Sequence, residues 1–267
     1  MKARAGKIAA VALIGVFALP VAALAQTASS PALDDVLQRL DANLQRYKAV
    51  VPDFFCSEHV VSSIIYGHKL QSSVSDSIFR LRRVAHPGSA ATLEESRETR
   101  AVNGTPVEEK QIHGPTILSG VFSGGLDLVS LDQQSCMSYA LEPTKPGKPY
   151  VIHFATLPGK HDNCLFTEES SGRVFIDPAT MQVRRMELTA PHHVILPQTV
   201  GTWHIAIDYA PVLLDGRTFW MPAAIATTAV STYDDHETEW AFNARYSNYH
   251  KLEVSFRILT PGGPATQ

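Results

Sequence analysis

Several short stretches carry side chains able to do chemistry. His236-Glu237-Thr238-Glu239-Trp240 opens like the zinc motif His-Glu-x-x-His, in which two imidazoles one helical turn apart hold the metal and the glutamate is the base. Trp240 stands where the second imidazole is needed. The segment also begins a strand, which turns successive side chains to opposite faces. Gly120-Val121-Phe122-Ser123-Gly124 is similar in composition to a nucleophile elbow, but its serine is fourth where the sharp turn needs it third. His153, His161, Asp162 and Cys164 supply imidazole, carboxylate and thiolate at spacings that match no tetrahedral signature. A polar loop beside a disulfide accounts for them more simply. His192-His193 falls in a proline-flanked loop and is expected in solvent. Arg80, Arg82 and Arg83 suit an anionic headgroup, yet on an alternating strand they read first as a solvated face. No phosphate-cradling glycine loop or dinucleotide fingerprint is present. The expectation is a protein that is not an enzyme, with no catalytic residue, no metal site and no cofactor.

The compartment is legible at the amino terminus. Lys2, Arg4 and Lys7 precede an apolar run over residues 8–21, and Ala23-Leu24-Ala25 fits the small-x-small cleavage rule, so residues 1–25 read as a signal peptide cut after Ala25. The apolar run is shorter than the ~20 residues of a membrane span, and Gln26 is not the cysteine that a lipid anchor requires. Cleavage leaves 20 Lys and Arg against 26 Asp and Glu, a net charge of −6. That argues against a nucleic-acid surface, which needs a clustered basic stripe. The mature protein is expected to be periplasmic or secreted and not membrane-spanning. It should form one domain over residues 26–259 with a flexible tail at 260–267.

Three cysteines allow one intrachain bridge and one leftover thiol. The favoured pair is Cys136 with Cys164, whose loop neighbouring strands would close, contributing roughly 3–4 kcal/mol on the chain-entropy model. The alternative is three buried thiols acting as small hydrophobes.

The elements that must position these residues follow from periodicity. Leu33, Val36, Leu37, Leu40, Leu44 and Tyr47 recur at helical spacing, with Ser30 suited to the N-cap, Pro31 to the first turn and Pro52 to the stop. Residues 56–66, 74–84 and 93–102 read as strands, the last running into the hairpin signal Asn103-Gly104. Asn103-Gly104-Thr105 is also a formal glycosylation sequon, which the hairpin explains better. Over residues 115–130, Leu118, Val121, Phe122, Leu126 and Val129 form one face of a short helix. Gly120, Gly124 and Gly125 soften it, each costing about 1 kcal/mol against alanine. That helix is a lid or plug, or else an ordinary connection packed on the core.

Residues 137–141 and 150–154 are short strands, and residues 172–188 form a hairpin turning at Asp177-Pro178-Ala179-Thr180. Residues 191–197 are expected to be a loop. Trp203, Ile205, Ile207 and Tyr209 then share one face of a strand. Residues 217–232 form another strand, in which Pro222 marks an edge or a bulge. Trp240, Phe242, Ala244 and Tyr246 share a face of the last strand, over residues 239–258.

This order, carried by Gly172-Arg173-Val174-Phe175-Ile176-Asp177, Met181-Gln182-Val183-Arg184-Arg185-Met186-Glu187, Asp208-Tyr209-Ala210-Pro211-Val212 and Tyr246-Ser247-Asn248-Tyr249-His250-Lys251, resembles the half-open β-barrel of bacterial periplasmic lipoprotein carriers of the LolA and LolB kind and of RseB-type sensor domains. It is also similar to a group of secreted, mostly uncharacterised bacterial proteins. The likeness spans roughly residues 31–258 and transfers no individual ligand-binding residue. The fold implied is α+β, a curved antiparallel sheet with an N-terminal helix and a central helical lid or plug. The function implied is binding of a lipid, an acyl chain or a lipoprotein in the concave face. From the sheet, Phe79, Leu81, Trp203, Ile205, Ile207, Trp240 and Phe242 would meet such a ligand, and from the lid Leu118 and Phe122. The alternatives are an envelope-protein interaction or sensing module without a small ligand and, further off, a metal-dependent hydrolase built on loop histidines.

Overall fold

The computed structural model describes residues 32–88, 91–108, 120–122, 125–145, 147–159, 164, 166, 168–196, 199–233 and 236–253. One α-helix, α1 (Leu33–Val50), precedes three strands joined by tight turns, β1 (Phe54–Tyr66), β2 (Lys69–Val84) and β3 (Thr92–Val102), with a two-residue return β4 (Thr105–Pro106). Two 3-10 turns follow, Gly125–Val129 and Leu131–Gln133. Seven further strands complete the chain: β5 (Met137–Leu141), β6 (Tyr150–Thr156), β7 (Ser171–Ile176), β8 (Val183–Leu196), β9 (Thr199–Leu214), β10 (Arg217–Tyr233) and β11 (His236–Lys251).

All eleven strands lie in one sheet in the order β4-β3-β2-β1-β11-β10-β9-β8-β7-β6-β5. Every neighbouring pair is antiparallel. Two meanders, β1–β4 and β5–β11, are therefore sewn together where β1 pairs with β11. The edges β4 and β5 stay apart, so the curved sheet is unclosed. This is the α+β half-open barrel expected from the sequence.

Alternation places the core on one face. Phe54, Cys56, Glu58 and Val60 of β1 are buried, as are Phe79 and Leu81 of β2 and Phe242, Ala244 and Tyr246 of β11. Ile205, Ile207 and Tyr209 of β9 repeat the rule. Asn103 and Gly104 take positive φ (49° and 76°), the conformation that a two-residue hairpin demands. Pro222 sits at a register shift of β10 against β9, where a missing N–H costs no ladder bond. Gly172 lies in β7 where no other residue fits, since a Cβ there would stand 1.9 Å from the Glu187 carbonyl oxygen and 2.5 Å from the Phe154 ring.

The structure departs from the sequence reading in four places. Helix α1 starts at Leu33 with Ala32 in the cap position and no side-chain cap; Ser30 and Pro31 lie outside the described residues. Tertiary contacts secure this helix instead. Its buried stripe of Val36, Leu37, Leu40 and Leu44 packs inward, and the Arg83 side chain donates to the terminal carbonyls of Lys48 (2.6 Å) and Val51 (3.2 Å). The expected loop at 191–197 is extended through Leu196, because β8 continues its pairing with β9 past Pro191 across register shifts. The expected central helix is replaced, among its described residues, by a turn at 120–122 and the 3-10 turn Gly125–Val129. The last strand stops at Lys251, and residues 254–258 of its expected span lie outside the described residues, as do the expected signal peptide and tail.

Candidate functional site

The concave face is occupied by the protein's own chain. Phe122, in the turn at 120–122, inserts its ring among Phe54, Phe79, Tyr246 and Tyr249, with centroid distances of 5.7, 4.5, 4.9 and 6.5 Å. Polar bonds hold it there. The Glu95 carboxylate of β3 accepts the backbone N–H of Gly120 (2.9 Å) and of Phe122 (2.8 Å). The Tyr47 hydroxyl donates to the Phe122 carbonyl (3.0 Å), and that of Tyr139 to the Leu128 carbonyl (2.6 Å). From α1, Asp41 accepts the Ser130 hydroxyl (3.0 Å), and Lys48 pairs with Asp127 (2.5 Å). Leu128 and Val129 are buried beneath these contacts. The described residues 120–122 and 125–133 thus form a plug, stapled by α1 on one side and by β3 and β5 on the other.

Below the plug the inner face carries a buried ion pair. Arg97 Nε donates to both oxygens of Glu58 (2.9 and 3.1 Å), and the Tyr246 hydroxyl donates to Glu58 Oε1 (2.8 Å). The guanidinium also lies over the Phe79 ring, 5.0 Å from its centroid. The register explains the meeting: Glu58 faces Ser77 and Phe79 faces Arg97, so the pair spans β2 diagonally. Cys56 is a buried free thiol in the same core, and burial pushes its pKa up, away from thiolate chemistry.

Open space lies beside the plug, between α1, the β7–β8 turn and the start of β10. The groove encloses about 230 Å³. Its apolar wall comes from Leu40, Leu44, Leu126, Val129, Met181 and Phe219. Asn43 ties the helix across it by donating to the Met181 carbonyl (2.7 Å). Asp177 shapes the neighbouring turn by accepting the N–H groups of Thr180 and Ala179 (3.0 Å each) and the Thr180 hydroxyl (3.1 Å). Those donors, the Thr180 amide first, hold the Asp177 carboxyl below its ordinary pKa.

The residues singled out from the sequence fall into distinct places. Phe79, Leu81, Phe122, Ile205, Ile207 and Phe242 are buried core, Trp203 and Trp240 are half-buried, and Leu118 lies outside the described residues. None of the described ones lines the groove. The groove itself leaves no signal in the sequence, because its walls come from segments far apart in the chain. Glu58 did leave a signal, an acid at an inward position of the Phe54-Cys56-Glu58-Val60 alternation.

The chemical clusters resolve structurally. Cys136 and Cys164 form a disulfide, which removes the Cys164 thiolate from any metal set. His153 pairs with Glu142, while His161 and Asp162 lie outside the described residues. His193 is not a solvated loop residue. It stacks on Trp203 at 4.2 Å and bonds Glu168 at 2.7 Å, whereas His192 is exposed. Arg80 pairs with Glu98 (2.5 Å), and Arg83 caps α1. Among the described residues no group of three or more His, Cys, Asp or Glu is placed to hold a metal, and no helix is long and apolar enough to cross a membrane.

No family model matches the chain, and no curated protein matches it. Among solved structures it is similar to a DUF1329 family protein from Desulfovibrio piger, at 11% identity and a TM-score of 0.41, over 85% of this chain and 96% of that one. A putative outer membrane lipoprotein-sorting protein domain from Vibrio parahaemolyticus aligns at 12% identity and a TM-score of 0.35, over 85% and 95%. A chain of the Pseudomonas aeruginosa MucA/MucB complex aligns at 8% identity and a TM-score of 0.19, over 80% and 93%. The fold assignment itself rests on the strand order.

Proposed function

We propose that this protein is exported to the cell envelope, where it binds an apolar ligand in the groove between α1 and the mouth of the half-open sheet. The observation that carries this reading is the groove's wall. Leu40, Leu44, Val129 and Phe219 converge from three separate elements on about 230 Å³ of space, immediately beside a concave face that is otherwise filled. Apolar walls with few polar groups are the usual makeup of a small-ligand site. A slot of about 230 Å³ suits one acyl chain better than a multi-chain lipoprotein anchor. Larger ligands would require the plug to leave, exposing Phe79, Leu81 and Phe242.

The test is displacement of a fluorescent apolar probe, 1-anilinonaphthalene-8-sulfonate, from the purified protein by decanol. Val50→Asp places a charge on an exposed groove residue with little cost to the core. It is expected to weaken probe binding at least tenfold with unchanged circular dichroism. A wild-type protein that binds neither probe nor decanol, or a Val50→Asp variant that binds both as before, would sink the proposal.

A further inference from the structure

The groove is lopsided in charge. No aspartate or glutamate is among its lining residues, whereas Arg46 and Arg217 both are. This is not the background of the molecule, which carries more acid than base. Several arginines elsewhere on the sheet find carboxylates: Arg80 takes Glu98, Arg173 takes Glu187, Arg184 takes Asp177 and Arg185 takes Asp208. Among the described residues neither Arg46 nor Arg217 has an ion pair. Arg46 reaches only the Asn43 side-chain oxygen, at 3.4 Å on its own helix. The two exposed guanidiniums stand on different walls, one on α1 and one at the first residue of β10.

Two cations left without carboxylates at the rim of an apolar slot complement one kind of molecule. Its hydrocarbon leaves water for the slot, and its anionic head stays at the rim, where solvent and guanidinium share it. The planar guanidinium fork matches a carboxylate with two parallel N–H donors. We infer that the groove takes a single-chain carboxylate amphiphile of medium length. Its head lies between Arg46 and Arg217, and its chain lies against Leu40, Leu44 and Phe219. This rests on the groove being the ligand site and adds the headgroup that the site selects.

Calorimetric titration of the purified protein with decanoate and with methyl decanoate separates head from chain, since the ester keeps the hydrocarbon and loses the charge. Decanoate is expected to bind at least tenfold more tightly. In the double variant Arg46→Gln, Arg217→Gln, decanoate should fall to the affinity of the ester while the ester is unchanged. Both substitutions fall on exposed side chains, and circular dichroism verifies the fold. Equal affinities in the wild type, or a carboxylate preference that survives the double variant, overturn the headgroup assignment and leave an apolar groove standing. Failure of both ligands to bind overturns the groove as well.

Discussion

Glu95 holds Phe122 in the concave face: its carboxylate accepts the Phe122 N–H at 2.8 Å and the Gly120 N–H at 2.9 Å, and the ring they position lies 4.5 Å from that of Phe79. One acid on an edge-proximal strand thereby anchors the segment that fills the half-barrel. The bonds run to backbone, so they fix the path of the plug whatever its side chains, while Phe122 supplies the buried area.

Removing that anchor should loosen the plug before it unfolds the sheet. Glu95→Ala deletes two charge-assisted acceptors, each contributing ~1.5–3 kcal/mol. Amide exchange at Gly120 and Phe122 is expected to rise by at least tenfold, while exchange in β9 and β10 is unchanged. Uniform acceleration across the sheet would show that Glu95 supports the whole fold and not the plug.

Gly172 has no room for a methyl group. With the Glu187 carbonyl oxygen 1.9 Å from an added Cβ, Gly172→Ala must push β7 off β8 or displace the Phe154 ring. Overpacking of this kind costs about 1–3 kcal/mol, and the backbone obstacle puts this site at the upper end. A urea midpoint equal to wild type would contradict the geometry.

The Glu58–Arg97 pair is buried, with the Glu58 side chain fully out of solvent. Breaking one side of such a pair costs ~3–5 kcal/mol, because the remaining buried charge loses its counter-ion. Arg97→Met should therefore be strongly destabilised, and adding Glu58→Met should recover a large part of the loss. Chemical denaturation of the two variants gives the comparison, and additive losses would refute the coupling.

Acid should weaken the turn beside the groove. The Thr180 and Ala179 donors lower the Asp177 pKa in the fold, and the Arg185 and Arg173 guanidiniums lower that of Glu187. A depressed folded pKa means that the stabilisation is present above the unfolded value, ~4. It is then lost as pH falls through the lower folded value. Stability is expected to decline below about pH 4, and Asp177→Asn should flatten that decline. Urea midpoints at pH 5 and pH 3 would expose a wild type and a variant that respond alike.

Local pattern was enough for much of the architecture. The Asn103-Gly104 turn, the Pro222 bulge and the inward sets Trp203-Ile205-Ile207 and Phe242-Ala244-Tyr246 all follow from turn chemistry and a period of two, which act over a few residues. The Cys136–Cys164 bridge was legible because only three cysteines compete. Helix α1 was legible in its stripe but not in its ends: Ala32 at its start offers no side-chain cap, and its last carbonyls are held by Arg83 from β2.

What the chain left to tertiary structure is everything that depends on who lies beside whom. Pairing of β1 with β11 joins residues nearly two hundred positions apart, such as Glu58 and Tyr246, and no periodicity encodes that choice. The run over residues 115–130 looked helical by its apolar spacing. Among its described residues the Glu95, Tyr47 and Tyr139 bonds instead favour a turn and a 3-10 stretch on the inner face of the half-open sheet. The groove is the extreme case. Leu44, Met181 and Phe219 each read alone as ordinary core residues, and only folding brings α1, the β7–β8 turn and β10 together around the space between them. Burial can be foreseen from one strand at a time, whereas a cavity is the gap left where distant elements fail to touch.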